Sequence, residues 1–298
     1  MGYLKLALAC VIWGIAWPLA RYSVEHIGPF MTGGFRFALA FVFFLPFLFY
    51  PKRVKITFRS VLYVIPLGLT GFYINNLVSY LGLQYTTATT ASIIVMSNPL
   101  NIAVLSYIFL KDKLNAAGAV SIGLSMVGAL TVVVKGDFMA LRNLDVNIGN
   151  VLVSMSAVCW STYSILIKKF ESEVGSIENI TFGTLIATLG FLPWCFEPLP
   201  SSSSPVSLAL AGAILFLSVC NTNLAFYFWS EGIRDANPNA AAIFFGLIPL
   251  SAAIVENRIY GESLATFHII GGTLIFVGIV LFIFSKRNGV KAEIPPET

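Results

Sequence analysis

Long apolar runs fill most of the chain, and short polar or charged clusters separate them. A membrane-spanning helix takes about 20 mostly apolar residues, which is about the length of these runs. Cut at the charged clusters and at the loops rich in Gly, Pro, Asn and Ser, the runs lie at 3–21, 29–50, 58–82, 87–110, 114–134, 147–167, 177–196, 206–230, 237–256 and 266–285. The pattern therefore predicts an all-α integral membrane protein with ten transmembrane helices.

The composition leads to the same class. The chain has 298 residues, of which 57% are hydrophobic and 11% charged, whereas a soluble domain carries about 25% charged residues. The formal net charge is +4, and no basic stripe provides the electrostatic footprint of a nucleic-acid site. We therefore expect the lipid bilayer and a small-molecule substrate as partners, and no nucleic acid.

The distribution of Lys and Arg predicts the orientation in the membrane. When the ten spans alternate in direction, 13 of the 18 basic residues fall on the side of the N-terminus and four on the other, while Arg36 lies within a span. Basic residues concentrate in cytoplasmic loops. The sequence thus predicts a multi-pass protein of the cytoplasmic membrane with both termini in the cytoplasm.

The two halves of the chain repeat one another. A shift of 147 positions places Trp13 on Trp160, and beyond the serine-rich loop a shift of 150 places Pro99 on Pro249. Each half holds five spans, an odd number, so the second half enters the membrane in the opposite orientation. The expected units are a first repeat at 1–138, an inverted second repeat at 139–286 and a disordered cytoplasmic tail at 287–298.

Several short motifs stand out along the chain. They are the Trp13-Gly14 step, Pro29 followed by Arg36, Ala88 with Ala91 and Pro99, and the segments 111–114 and 261–264. Together, over residues 3–285, they resemble the EamA-type ten-helix branch of the drug/metabolite transporter superfamily, which contains bacterial exporters of amino acids and other metabolites. The resemblance implies two inverted five-helix repeats around a central cavity. It also implies that the first, third and fourth helices of each half line that cavity.

Polar and aromatic residues form one stripe on each of two equivalent helices. Tyr73, Asn76 and Tyr80 share a face of the third span, and Asn223 and Tyr227 share a face of the eighth. An amide buried in hydrocarbon without a partner costs a few kcal/mol, so these faces must meet other helices or a water-filled cavity. Substrate binding and interhelical hydrogen bonding are both open interpretations.

Aromatic pairs lie near the middle of the first and sixth spans. Trp13 and Trp17 are four residues apart, and Trp160 and Tyr163 are three apart, so each pair shares a helical face. Aromatic residues of the interfacial belts lie nearer the helix ends. The placement predicts the wall of a substrate pocket, with core packing as the alternative.

A helix breaker and a buried charge complete the candidate site. Pro99 stands beside Asn98 in the fourth span, and Pro249 occupies the corresponding place in the ninth. A proline frees backbone carbonyls that substrate or water can use. Arg36 is the one charge well inside a span. Arg36 could hold a substrate carboxylate through two parallel hydrogen bonds, or it could extend to the interface and cap neighbouring carbonyls.

Other chemistries find little support. No Asp or Glu lies near the middle of a span, unlike the small multidrug-resistance branch of the resembling superfamily, so cationic drugs are not expected substrates. The four cysteines show no metal-binding spacing, and neither a HExxH nor a GxSxG motif is present. We expect no enzyme activity, no cofactor and no metal.

These observations predict a transporter. The expected function is the alternating-access export of an amino acid or related small polar metabolite by a monomer. The alternatives are a carrier for a sugar, nucleoside or organic anion, a non-transporting sensor and an intramembrane enzyme.

Overall fold

The architecture is known from a computed structural model of the chain. It describes residues 1–48, 57–86, 88–143, 147–193, 207–260 and 265–292. Within these ranges the regular structure is helical and contains no β-strand. The all-α membrane class predicted from the sequence is confirmed.

The helices follow the predicted spans closely. They are α1 (Gly2–Ile27), α2 (Pro29–Leu48), α3 (58–83), α4 (88–110), α5 (Ala116–Val133), α6 (Ile148–Lys169), α7 (Ser176–Phe191), α8 (Leu208–Asp235), α9 (238–260) and α10 (Thr266–Ala292). In the described ranges, nine are long and apolar enough to span a membrane. The exception, α7, has 16 residues, and its predicted span of 177–196 continues into residues outside the described ranges.

Two helices run past their predicted ends. The first apolar run ends at residue 21, but α1 continues to Ile27 and stops at Gly28, whose φ of 80° is a backbone conformation that favours glycine. Charged residues at 21–26 end the apolar pattern without breaking the helix. The last helix, α10, reaches Ala292 and so includes the start of the segment 287–298 that the sequence predicts to be a tail. Lys and Arg are good helix formers and are favourable near a helix C-terminus.

The helices of the two halves pack reciprocally. Helix α1 packs against α8 and α9, and its counterpart α6 packs against α3 and α4. In the same way α2 contacts α7 and α8, α7 contacts α2 and α3, and α5 lies along α10. Exchanging the halves therefore reproduces the packing pattern, which is the arrangement of two inverted repeats.

Glycine pairs allow two of these reciprocal contacts. At one end of the bundle α1 approaches α8, where a Cβ added to Gly2 would lie 3.3 Å from the carbonyl oxygen of Gly232. At the opposite end α6 approaches α3, where a Cβ added to Gly149 would lie 2.8 Å from the carbonyl oxygen of Gly82. Small residues let backbones approach closely in membranes. We call the end with Met1 and Gly2 the near end and the other the far end.

A third close approach, between α1 and α9, generates a test of the packing. A Cβ on Gly14 would collide with Ser251 Oγ and lie 2.5 Å from the carbonyl oxygen of Ile248. Gly14→Ala should therefore force α1 away from α9 and destabilise the protein by about 1–3 kcal/mol, the usual cost of overpacking. The measurement is thermal unfolding of the purified protein in detergent.

The matched control for this test is Gly123→Ala. Gly123 also lies inside a helix, but nothing would lie within 4 Å of its added Cβ. Alanine is the better helix former, so this variant should be at least as stable as the wild type. Equal stability of the two variants would contradict the packing of α1 on α9.

Candidate functional site

Two helices are interrupted at equivalent positions. In α4 the α-helical segments are Ala88–Val95 and Asn98–Leu105, and in α9 they are Pro238–Phe244 and Leu247–Tyr260. Pro99 lies in the first turn of its second segment, where its missing N–H breaks no helical bond. The interruptions place irregular backbone at the middle of the bundle, where it must be covered by protein or water.

Helices α3 and α8 both widen into a π-helix at matching positions. The π segments are Gly68–Ile74 and Leu217–Leu224. Such segments occur often at functional sites because they re-aim side chains and free backbone carbonyls. We call them the α3 and α8 π segments.

The α8 π segment is held by polar contacts to the first half. Trp13 Nε1 donates to the carbonyl oxygen of Asn221 at 3.2 Å, and Arg36 Nε donates to Thr222 Oγ1 at 2.7 Å. The next residue, Asn223, donates from Nδ2 to the carbonyl oxygen of Ala40 at 3.0 Å. Three consecutive residues thus join α8 to α1 and α2.

The α3 π segment meets its neighbours through glycine and aromatic contacts instead. A Cβ on Gly71 would lie 2.6 Å from Tyr163 Cγ, and one on Gly183 would lie 2.5 Å from Phe72 Cδ2. Tyr73 packs against Gly190 in the same manner, with Cζ 2.7 Å from an added Cβ. Equivalent segments therefore dock by different chemistry in the two halves.

An aromatic cluster fills the space between the halves. It consists of Trp13, Trp160, Tyr163, Phe226 and Trp229, from α1, α6 and α8. The rings of Trp13 and Trp160 meet edge to face at 5.0 Å, and Trp229 lies 5.1 Å from Trp13. Phe226 is 5.5 Å from Trp160, again at right angles. Edge-to-face pairs are favoured by the ring quadrupoles.

The two equivalent tryptophans differ in their hydrogen bonding. Trp13 Nε1 donates to α8, as described above, whereas the buried Trp160 Nε1 has no acceptor in the part of the chain that the structure describes. A buried donor without a partner costs free energy and calls for an explanation. Trp160 therefore offers a free donor at the centre of the bundle.

Ion pairs tie helices together at the near end. Lys5 Nζ lies 2.9 Å from Asp235 Oδ2 and 3.3 Å from Glu231 Oε2. Ser176 Oγ donates to Glu231 Oε1 at 2.6 Å. This network of Lys5, Ser176, Glu231 and Asp235 joins α1, α7 and α8, and we call it the near-end network.

Two further contacts close the same end. Asn239 Nδ2, at the start of α9, donates to Asp112 Oδ2 after α4 at 2.9 Å. Lys168 Nζ, at the end of α6, donates to the carbonyl oxygen of Arg234 in α8 at 3.0 Å. The first contact joins the two repeats, and the second joins α6 to α8 within the second repeat.

The far end departs from the symmetry of the packing. The near-end part of α9, Pro238–Phe244, packs against Asn98–Leu105 of α4. The equivalent far-end parts, Ala88–Val95 of α4 and Leu247–Tyr260 of α9, make at most marginal contact within the described ranges. The bundle is therefore closed at the near end, and α4 and α9 are apart at the far end.

The stripe predicted on α3 faces α2 and α7. The rings of Tyr73 and Tyr80 lie 5.6 and 6.0 Å from that of Phe191, and Asn76 Nδ2 donates to the carbonyl oxygen of Phe72 in its own helix at 2.8 Å. These are helix-packing contacts away from the aromatic cluster. A role of the stripe in substrate binding stays a prediction.

The other predicted residues divide between the centre and the near end. Asn98 Oδ1 accepts from Ser161 Oγ at 3.2 Å, beside the interruption of α4. Tyr163 OH accepts from Asn179 Nδ2 at 2.9 Å. The half-buried Tyr227 lies beside Phe228, and the side chain of Trp17 lies outside the described part of the structure.

Sequence reasoning missed several of the residues found here. Trp229, Thr222 and the near-end network were not among the predicted site residues. The pairing of Lys5 with Glu231 had a usable signal, because the alternating topology places both at the same end of the bundle. Thr222 had none, because its position depends on the π segment.

The comparison with protein families identifies the chain. The model of the EamA-like transporter family matches residues 1–134 and again residues 147–284. The chain therefore belongs to the EamA-like transporter family and contains two repeats of it. This places it among multi-pass membrane transporters.

Relatives and a solved structure agree with that family. The uncharacterized transporters YyaM and YetK of Bacillus subtilis (strain 168) are each 26% identical to the chain, over 93% and 96% of it and 92% and 88% of their own lengths. A crystal structure with 18% sequence identity superposes with a TM-score of 0.79, covering 96% of this chain and 98% of the other. The structural likeness shows the fold.

The different hydrogen bonding of Trp13 and Trp160 allows a test of the contacts at the centre of the bundle. Trp13→Phe removes a donor and leaves the carbonyl oxygen of Asn221 without its partner, so it should lower the free energy of unfolding by about 1–2 kcal/mol more than Trp160→Phe does. The two substitutions are chemically identical and remove the same indole ring. Thermal unfolding in detergent measures the difference, and an equal or larger loss for Trp160→Phe would contradict the assigned hydrogen bonds.

Proposed function

We propose that the chain exports amino acids or related small polar metabolites across the cytoplasmic membrane by alternating access. The observation that carries the proposal is the unequal packing of equivalent segments at the two ends. Inverted repeats work by exchanging conformations around a fixed site, so the packing of one half in one state should appear in the other half in the other state. The structure has one end closed and the equivalent segments apart at the other, and this difference supports the proposed exchange.

The orientation is part of the proposal. The near end carries Lys5 and the loops with most of the basic residues, including Lys111, Lys113, Lys168 and Lys169. By the distribution of positive charge this end is cytoplasmic. The structure then corresponds to the outward-facing state, and the near-end network closes the cytoplasmic side. The proposed transport unit is a monomer with repeats at 1–138 and 139–286, because both halves of the central site come from one chain.

The substrate class rests on Arg36. Its side chain is 8% exposed, and Nε donates to Thr222. The guanidinium also lies over the Phe37 ring, with Cζ 4.8 Å from the ring centroid. Its terminal nitrogens have no hydrogen-bond partner in the described ranges. A charge inside a membrane is costly and usually faces a cavity or a partner, and guanidinium matches a carboxylate geometrically. An organic-anion carrier is the second candidate, since Arg36 would bind the carboxylate of either substrate.

Transport of labelled solutes by the purified protein in proteoliposomes tests the substrate class. The probes are proteinogenic L-amino acids, their carboxamides and the matching α-keto acids. Arg36→Lys should fold normally and raise the KM for carboxylate-bearing substrates about tenfold, because a point charge replaces a planar fork. Carboxamides should be poor substrates of both proteins.

Three outcomes would overturn parts or all of this proposal. An unchanged KM of Arg36→Lys for every carboxylate that the wild type carries would return Arg36 to a structural role. Preference for α-keto acids over amino acids would favour the organic-anion carrier. Absence of flux for all three probe classes would reject the substrate class as a whole.

Cysteine accessibility tests the alternation and the orientation together. Tyr80 lies near the far end of α3, and Tyr227 lies about two turns from the near end of α8. In a background without Cys10, Cys159, Cys195 and Cys220, a membrane-impermeant maleimide should reach Tyr80→Cys from outside the cell and Tyr227→Cys from the cytoplasmic side. A transported substrate should shift the two reactivities in opposite directions, because it redistributes the two states. Equal reactivity with and without substrate would reject the alternation, and exchanged sidedness would reject the orientation.

A further inference from the structure

We infer that Thr222 is a positioning residue for substrate recognition, which orients the Arg36 guanidinium so that its two terminal nitrogens face a substrate carboxylate end-on. The inference rests on the carboxylate-binding role of Arg36 proposed above. Thr222 was not among the site residues predicted from the sequence. It is fully buried and, through Arg36, joins α8 of the second half to α2 of the first.

The α8 π segment determines how the Thr222 hydroxyl can bond. Thr222 Oγ1 donates to the carbonyl oxygen of Leu217, five residues earlier, at 2.8 Å. Buried hydroxyls elsewhere bond four residues back, as Ser218 does to Ile214 and Thr184 to Ile180. A hydroxyl has one proton and two lone pairs. With its proton held by Leu217, Thr222 can only accept from Arg36.

This acceptor fixes one edge of the guanidinium. Arginine has five N–H donors in a planar fork, one on Nε and two on each terminal nitrogen. Nε donates to Thr222 at 2.7 Å, so the side-on mode, which uses Nε, is occupied by the protein. The remaining mode is end-on, with one terminal nitrogen to each carboxylate oxygen. A planar group held at one edge loses less conformational entropy when the ligand binds.

A purely structural role explains the contact less well. The α8 π segment is already joined to the first half by Trp13 at Asn221 and by Asn223 at Ala40. Docking of the helices therefore does not depend on Thr222. The distinct feature of the Thr222 contact is its partner, a buried cation that has no other polar protein contact within the described ranges.

The test compares Thr222→Val with Thr184→Val. Valine keeps the shape and removes the hydroxyl at both sites, but the bonds of Thr184 lie within α7 and do not reach Arg36. Flux in proteoliposomes is measured for an L-amino acid that the wild type carries and for its carboxamide. Thr222→Val should raise the KM for the amino acid about tenfold, the loss expected for one hydrogen bond to a charged group. The maximal rate and the carboxamide flux should not change, and Thr184→Val should match the wild type.

Two more variants separate positioning from stability. Thr222→Ser keeps the hydroxyl and should keep the wild-type KM, so a raised KM in this variant overturns the inference even if Thr222→Val does not fold. In an Arg36→Lys background, Thr222→Val should add little, because lysine has no Nε–H to orient. Full additivity of the two substitutions would also overturn it.

The Arg36 and Thr222 variants together distinguish a failure of the carboxylate role of Arg36 from a failure of the positioning role of Thr222. If Arg36→Lys leaves every KM unchanged, the carboxylate role of Arg36 is wrong and the inference about Thr222 falls with it. If Arg36→Lys raises the KM but Thr222→Val behaves like Thr184→Val, the carboxylate role stands. In that case Thr222 is a structural residue.

Discussion

Hydrogen-bond satisfaction without water is the constraint on which the rest of this structure depends. In hydrocarbon every backbone polar group needs an internal partner, so the chain spans the membrane as helices. Departures from the regular α-helix lie at the interruptions of α4 and α9, in the π segments of α3 and α8 and in a further π turn at Ser106–Leu110 of α4. In the α8 π segment the re-aimed groups bind Trp13 and Arg36. The irregular backbone thus becomes the place where the two halves recognise each other.

The two repeats have the same architecture but differ in the contacts that join their helices. The halves share helix order and reciprocal packing. Helix α8 is joined to its neighbours by hydrogen bonds, whereas α3 packs through Gly71 against Tyr163 of α6 and through Phe72 against Gly183 of α7. Hydrogen bonds are directional and therefore fix the relative position of two helices. Apolar contacts allow the helices to slide past each other with smaller changes in energy. A transporter that must exchange two conformations benefits from having one docking of each kind. The asymmetry of Trp13 and Trp160 is part of this difference, because the indole N–H of Trp13 bonds to α8, whereas that of Trp160 has no acceptor within the described residues.

The sequence predicted the frame of the fold better than the identity of the site. Hydropathy located the spans. The constant shift matched Trp13 with Trp160, and the structure brings their two rings together at 5.0 Å. The stripe of Tyr73 and Tyr80 shows the limit of such reasoning. Helical periodicity identifies residues on a common face, but it does not identify the neighbouring helix, and this face meets Phe191 of α7. The role of Thr222 could not be predicted for another reason, because its bond to the carbonyl of Leu217, five residues earlier, forms only in a π-helix.

The reciprocal packing also has a consequence for biosynthesis. Trp13 in α1 bonds to Asn221 in α8, 208 positions later in the chain. At translation rates of about 5–20 residues per second, α1 waits about 10–40 s in the bilayer before its partner leaves the ribosome. During that interval its glycine-lined face and the unpaired Lys5 must be covered by lipid, water or the insertion machinery. A chain that stops before α8 can pack α1 against α2 but lacks Asn221, the acceptor of the Trp13 indole N–H. Co-translational quality control therefore meets α1 before its main partners, α8 and α9, have been made.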